Sequence, residues 1–87
     1  MQYTVLFKKS ALKELRKLPK EFCVQIAKVI DGLSKNPRPH GHKKLKSTLN
    51  LYRIRSGNYR VIYQIKDKKC IILVLRIGDR KDIYQHR

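Results

Sequence analysis

Arginine and tyrosine carry the chemistry that this sequence offers. From Leu51 to Tyr84 it reads LYRIRSGNYRVIYQIKDKKCIILVLRIGDRKDIY, with Arg53, Arg55, Arg60, Arg76 and Arg80 along its length and a tyrosine at its end. Guanidinium groups grip phosphate oxygens through paired N–H donors and stay charged at any working pH, so the inventory suits a phosphodiester. The acidic residues Glu14, Glu21, Asp31, Asp67, Asp79 and Asp82 are scattered, with no pair spaced for a two-carboxylate mechanism or a Mg²⁺ site. RNA admits a route without a metal, because its own 2′-hydroxyl can attack the adjacent phosphorus. A protein then has to orient that hydroxyl, stabilise the added negative charge and manage two protons. Tyr84 is the candidate for proton transfer, since a phenol titrates near pH 10 and neighbouring cations lower it. The plainer reading leaves the arginines as phosphate-positioning or surface groups and Tyr84 as a packed aromatic.

These residues depend on a three-stranded meander. In the first strand Tyr52 and Ile54 alternate with Arg53 and Arg55, giving one apolar and one cationic face. Ser56, Gly57 and Asn58 turn the chain into the β-branched and aromatic run Tyr59–Ile65. A two-residue loop sets Arg53, Arg55 and Arg60 on one face and Tyr52, Ile54, Val61 and Tyr63 on the other; a three-residue loop breaks that grouping. The third strand, Cys70 to Ile77, is apolar almost throughout, as a strand covered on both sides would be. An even-residue loop at Asp67 and Lys68 sets Arg76 on the face opposite Arg60.

Upstream, Gln2 to Phe7 reads as a strand and Ser10 is placed to cap a helix carrying Ala11, Leu12, Leu15 and Leu18 on one side. Pro19 ends that helix and opens a second, with Phe22, Ile26, Val29, Ile30 and Leu33 as its stripe. The two should form a hairpin covering one side of the sheet. Asn36 to Lys46 (NPRPHGHKKLK) reads as an irregular connector carrying Arg38, Lys43, Lys44 and Lys46. Its His40 and His42 lack partner ligands at metal-site spacing and read as exposed loop histidines.

Length and charge bound the rest. The 87 residues make one domain, 1–87, and 22 Lys and Arg against 6 Asp and Glu give a net charge of +16. A polyanionic partner follows, and nucleic acid is favoured over membrane because no basic amphipathic helix carries an aromatic face. Cys23 and Cys70 sit in apolar stretches as buried thiols rather than a disulfide. No signal peptide is read at the amino terminus, and the longest apolar run falls far short of the roughly 18 residues of a membrane span. The expectation is a cytoplasmic protein with no cofactor and no metal, and without a Gly-rich phosphate loop.

YRIRSGNYRVIYQI followed by LVLRIGDRKDIY resembles the signature of the RelE toxins of bacterial toxin–antitoxin systems, within the RelE/ParE superfamily. ALKELRKLP and NPRPHGHKKLK extend the likeness upstream. The resemblance implies an α+β fold: a small antiparallel sheet with an N-terminal strand, a two-helix hairpin on one face and the C-terminal meander. It implies a metal-independent, ribosome-dependent endoribonuclease that cleaves mRNA in the A site and inhibits translation. It also implies an acidic RelB-like antitoxin that wraps the fold in a hetero-oligomer. The family's catalytic positions fall on Arg60, Arg80 and Tyr84. Two lysines of some members fall on Arg53 and Arg55, where arginine, with a pKa above about 12, clamps phosphate rather than acting as a base. Lys43, Lys44, Lys46 and Arg76 complete the expected RNA-binding set. The rival is the ParE branch, which poisons DNA gyrase by binding; a plain nucleic-acid-binding module is the third reading.

Overall fold

Alternation of apolar and polar residues on both sides of Gly57 folds as the expected hairpin. The structure is a computed structural model and describes residues 2–46 and 49–79, with the backbone alone for Lys46. In chain order it contains β1 (Thr4–Phe7), α1 (Lys9–Arg16), α2 (Lys20–Lys35), β2 (Lys43–Lys46), β3 (Leu51–Ser56), β4 (Tyr59–Lys66), a 3₁₀ turn (Asp67–Lys69) and β5 (Ile71–Asp79). The strands form one sheet ordered β1-β5-β4-β3-β2. The α+β architecture is the expected one. Its sheet is mixed, because β1 runs parallel to β5 while the other neighbours are antiparallel. No hairpin ties β1 to β5; the whole helical hairpin and meander intervene, and a long connection leaves strand direction open.

β2 replaces part of the irregular connector. KKLK has little strand propensity of its own, but a short lysine-rich strand is what a sheet edge tolerates, because its charges oppose further strand pairing. β5 also departs from expectation. Ile72, Val74 and Ile77 are buried, whereas Ile71, Leu73 and Leu75 are only half-buried, so the helices close one face and leave the other more open.

Two helix boundaries shift slightly. Lys8 still donates its N–H to Val74 O at 2.9 Å in continuation of the β1–β5 pairing, and α1 begins at the next residue. Lys8 is therefore the N-cap, and Ser10 lies inside the helix rather than capping it. Pro19 stands just before α2 as its N-cap instead of within its first turn. Its fixed φ suits that position, and its carbonyl accepts the N–H groups of Phe22 and Cys23 at 3.0 Å each.

The core forms where helix stripes meet the apolar sheet face. Ala11 and Leu15 of α1 and Ile26, Ile30 and Leu33 of α2 are buried against Tyr52, Ile54, Val61, Tyr63, Ile65, Ile72, Val74 and Ile77. Full burial of each large aliphatic contributes about 1.5–3 kcal/mol. Cys23 and Cys70 are both free thiols and half-buried. No helix among the described residues is long and apolar enough to cross a membrane.

Tyr63 fastens the connector to the core. Its ring stacks on Tyr52 at 5.9 Å, and its hydroxyl donates to Pro37 O at 2.8 Å. Burial pushes its phenol up from 10.0 to about 12, with the Tyr52 phenol adding to the effect. The raised folded-state pKa means that stability is fully present below pH 10 and is lost as pH rises to 12, because the unfolded chain ionises first. Denaturant titrations from pH 7 to 12 should show this loss, on the order of 2 kcal/mol. Tyr63→Phe should cost about 1 kcal/mol at pH 7 through the lost hydrogen bond and fall less steeply above pH 10.

Candidate nucleic-acid interface

The β3–β4 turn decides which side chains share a face. Gly57 has φ 62°, a left-handed conformation that glycine adopts without strain, and the two-residue loop pairs Arg55 with Arg60 and Arg53 with Ile62. Tyr52 faces Tyr63 and Ile54 faces Val61 on the core side. The expected grouping of Arg53, Arg55 and Arg60 is therefore present. β2 extends it, since Lys43 lies across from Arg53. Gly78 is the partner of Arg60 on β5 and adds no side chain to that row.

This face is electrostatically demanding. Arg55 is exposed and directly opposite Arg60, an arrangement of like charges that disfavours pairing. Arg53 and Arg60 are each only 8% exposed. The Nε of Arg53 is buried without a hydrogen-bond partner, which leaves a charged donor in want of an acceptor. A phosphate supplies both the opposing charge and the acceptor oxygens.

The other predicted residues divide. Lys44 lies across from Tyr52, and its ammonium is 5.7 Å from that ring's centroid, so it belongs to the opposite face from Lys43. Lys46 pairs with Leu51 beyond a register shift. Arg80 and Tyr84 lie outside the described residues.

Arg76 corrects the parity argument. Lys66 pairs with Ile71 across an even loop, as expected, but a register shift between Ile62 and Tyr63 puts Arg76 across from Ile62 instead of Val61. An extra residue in β5 breaks the alternation on which the expectation rested. Its Nε donates to Glu14 Oε2 at 3.2 Å, and Glu14 Oε1 accepts the N–H of Ile77 at 2.9 Å. Arg76 is thereby directed to α1. β1 pairs only with Ile71 to Val74, so Glu14 serves the part of β5 that β1 does not reach.

Arg38 has a role that its sequence neighbourhood conceals. It bonds Asp67 through two nitrogens at 2.9 and 3.3 Å, donates from Nε to the Tyr52 hydroxyl at 3.3 Å, and lies 5.2 Å from that ring's centroid. Tyr3 donates its hydroxyl to the same carboxylate at 2.6 Å. The connector is thus fastened to the β4–β5 turn and to the chain before β1. Arg38, and after it Tyr3, hold the Asp67 carboxyl below its usual range, and the bond to Asp67 raises the Tyr3 phenol. Partners so far apart in sequence leave no local signal; a lone acid in a lysine-rich turn was the one available hint. His40 is exposed as expected, but His42 is half-buried, with its ring 5.8 Å from Tyr52 and Nδ1 2.8 Å from Pro39 O. Among the described residues no three His, Cys, Asp or Glu side chains gather closely enough to hold a metal ion.

A five-stranded sheet with two helices on one face has known counterparts. The family model for the ParE toxin of type II toxin-antitoxin system, parDE, matches residues 5–84. The chain is 33% identical over 86 residues to Toxin RelG of Mycobacterium tuberculosis, spanning 98% of this chain and 99% of RelG. It is 34% identical over 88 residues to the mRNA interferase toxin RelE of Escherichia coli K12, spanning 97% and 92% respectively. The archaeal RelE–RelB complex from Pyrococcus horikoshii OT3 contains a chain that superimposes with a TM-score of 0.83 at 35% identity, covering 92% of this chain and 97% of that one. With such coverage the chain belongs to the RelE/ParE superfamily of type II toxin–antitoxin toxins. Within that superfamily it is a member of the RelE-like toxin family.

The Arg38–Asp67 tie has a measurable acid limb. A depressed carboxyl pKa contributes stability above the unfolded value near 4, and this is lost as pH falls through the folded value. Both side chains are well exposed, at 39% and 47%, so solvent screening keeps the effect below about 1 kcal/mol. Asp67→Asn should lower stability by that amount at pH 7 and flatten its dependence below pH 4, as followed by thermal denaturation.

Proposed function

We propose that this protein is the toxin of a type II toxin–antitoxin system and arrests translation by cutting mRNA in the ribosomal A site. The observation that carries this reading is the cationic row of Lys43, Arg53, Arg55 and Arg60, with Arg53 and Arg60 buried within it. Residues 1–87 act as one toxin domain, working in the cytoplasm where ribosomes are. The E. coli relative's being an mRNA interferase supports the nuclease assignment.

In this mechanism the RNA supplies the nucleophile. Its 2′-oxygen attacks the adjacent phosphorus as the bond to the 5′-oxygen breaks, leaving a 2′,3′-cyclic phosphate and a 5′-hydroxyl. Arg53 and Arg55 clamp the phosphate, and Arg60 and Arg80 stabilise the charge that grows on its oxygens. Tyr84 moves the proton, and no metal takes part. Lys43, Lys44 and Lys46 hold flanking phosphates, and Arg76 plays the weaker part in RNA binding because Glu14 engages it. The row contains no carboxylate or imidazole base, so the rate depends on orientation of the 2′-hydroxyl, which ribosome-held mRNA provides.

The partner follows from charge. A chain at +16 suits an acidic RelB-like antitoxin that folds on docking and covers part of the arginine row in a toxin–antitoxin hetero-oligomer. The solved RelE–RelB complex supports that assignment. A second reading arises from the family model, whose description is that of a ParE toxin: binding to DNA gyrase without cleavage.

Single-turnover cleavage with saturating ribosomes separates these readings, since it reports chemistry apart from binding. Ribosome-bound mRNA should be cut and naked RNA left nearly intact. Tyr84→Phe should slow cleavage by about 10² to 10⁴ with ribosome binding unchanged. Arg60→Ala and Arg80→Ala should each lose about 3 kcal/mol of transition-state stabilisation. Wild-type rates in all three variants would misplace the site, and gyrase inhibition without mRNA cleavage would establish the ParE reading.

A further inference from the structure

Behind the arginine row the structure has a second concavity of different character. A cleft of about 420 Å³ lies between the α1–α2 corner and the ends of β4 and β5. It opens where α1 stops at Arg16 and the chain turns through Lys17, Leu18 and Pro19 before α2. Glu14 holds α1 to β5 through Arg76 and the Ile77 N–H, which fixes the width of the cleft.

Its lining combines apolar, aromatic and charged groups. Leu18, Pro19 and Ile77 give apolar walls, and the Tyr59 ring, backed by Phe22 at 5.2 Å, gives an aromatic one. Four charged residues line it, Lys17 and Arg76 against Glu14 and Asp79, so the cleft is formally neutral on a chain of +16. A phosphate would gain little there over any other part of this surface. A flat, uncharged group with hydrogen-bonding edges fits the combination of ring, apolar wall and mixed donors and acceptors, and that describes an unstacked nucleobase.

The location ties the cleft to the arginine row. Tyr59 is the chain neighbour of Arg60, and strand neighbours project to opposite faces, so the cleft lies on the helix side of the sheet end whose other side carries Arg60. An RNA strand passing round that end can leave a phosphate on one side and turn a base into the other. We propose that this cleft receives one unstacked base of the RNA beside the phosphate held at Arg60, with Tyr59 as its stacking surface. The inference rests on the nuclease reading and adds to it a site that selects the base flanking the cut.

The test uses the full chain. Ribosome-bound mRNAs varied at each base flanking the cut are cleaved under single-turnover conditions by wild type, Tyr59→Leu, Tyr59→Phe and Lys17→Ala. Tyr59→Leu should lower cleavage at the favoured base by about 10- to 100-fold and flatten the preference at one position, the scale of a lost base–aromatic stack. Tyr59→Phe should restore the wild-type preference. Lys17→Ala, at an exposed position that leaves folding intact, should change that preference by about tenfold, the scale of one charged hydrogen bond. An unaltered base profile in Tyr59→Leu and Lys17→Ala, each shown to be folded by thermal denaturation, overturns the proposal. A wild type that cuts no mRNA defeats the nuclease reading instead, and the cleft is then judged by titrating ¹⁵N-labelled protein with the four ribonucleosides, which report the base without a phosphate. Amide shifts centred on Lys17, Tyr59 and Gly78 support the site; their absence for all four removes it.

Discussion

A slip of one residue between β3 and β4 would turn Tyr52 and Ile54 away from the core face that Val61 and Tyr63 hold, and would put Arg53 and Arg55 into it. Two large apolar side chains at about 1.5–3 kcal/mol each amount to a large part of a small domain's net stability of about 5–15 kcal/mol. Register is therefore set by the buried face, and the cationic face inherits its geometry. Arg55 comes to face Arg60 because Ile54 must face Val61. The arrangement needs no attraction among the arginines themselves. It survives their mutual repulsion because the opposite side of the same two strands outweighs it.

That repulsion extends over the molecule. At +16 the chain opposes its own compaction, and the ion pairs Arg38–Asp67 and Arg76–Glu14 neutralise little of the excess. Both pairs instead act as fasteners between elements distant in sequence. Arg38–Asp67 ties the connector to the β4–β5 turn, and Arg76–Glu14 ties β5 to α1. Glu14 and Asp67 thus stand where they hold architecture. A polyanion bound to the arginine row offsets the unfavourable Arg55–Arg60 pairing, so occupancy of the face and stability of the fold rise together.

Much of this was legible because it obeys local periodicity. Tyr52, Ile54, Val61 and Tyr63 alternate with the arginines at period two, and the Ser56–Gly57–Asn58 turn marks where the chain reverses. Ile26, Ile30 and Leu33 mark the buried side of α2 at helical spacing. The misses arise where a tertiary constraint overrides a local rule. KKLK lacks strand propensity and becomes β2 because the β3 edge offers unpaired backbone groups. Arg76 defied a parity count because a bulge adds one residue, and no bulge can be counted from composition. Arg38 looked like one more loop cation because its partner arrives only when the β4–β5 turn closes. Of the proposed catalytic set, Arg60 has a described environment, while Arg80 and Tyr84 rest on motif position.

The burial of Arg53 bears on why arginine suits that position better than lysine would. Desolvation disfavours the charged form of a lysine and can take its proton, whereas a guanidinium, with a pKa above about 12, keeps its charge. At 8% exposure Arg53 carries a donor fork able to meet two phosphate oxygens. The same permanence of charge removes it from proton transfer. In the proposed mechanism, guanidinium groups that keep their charge across the physiological range leave proton handling to the phenol of Tyr84. The geometry of the arginine row is thus held in register by the hydrophobic side of the hairpin.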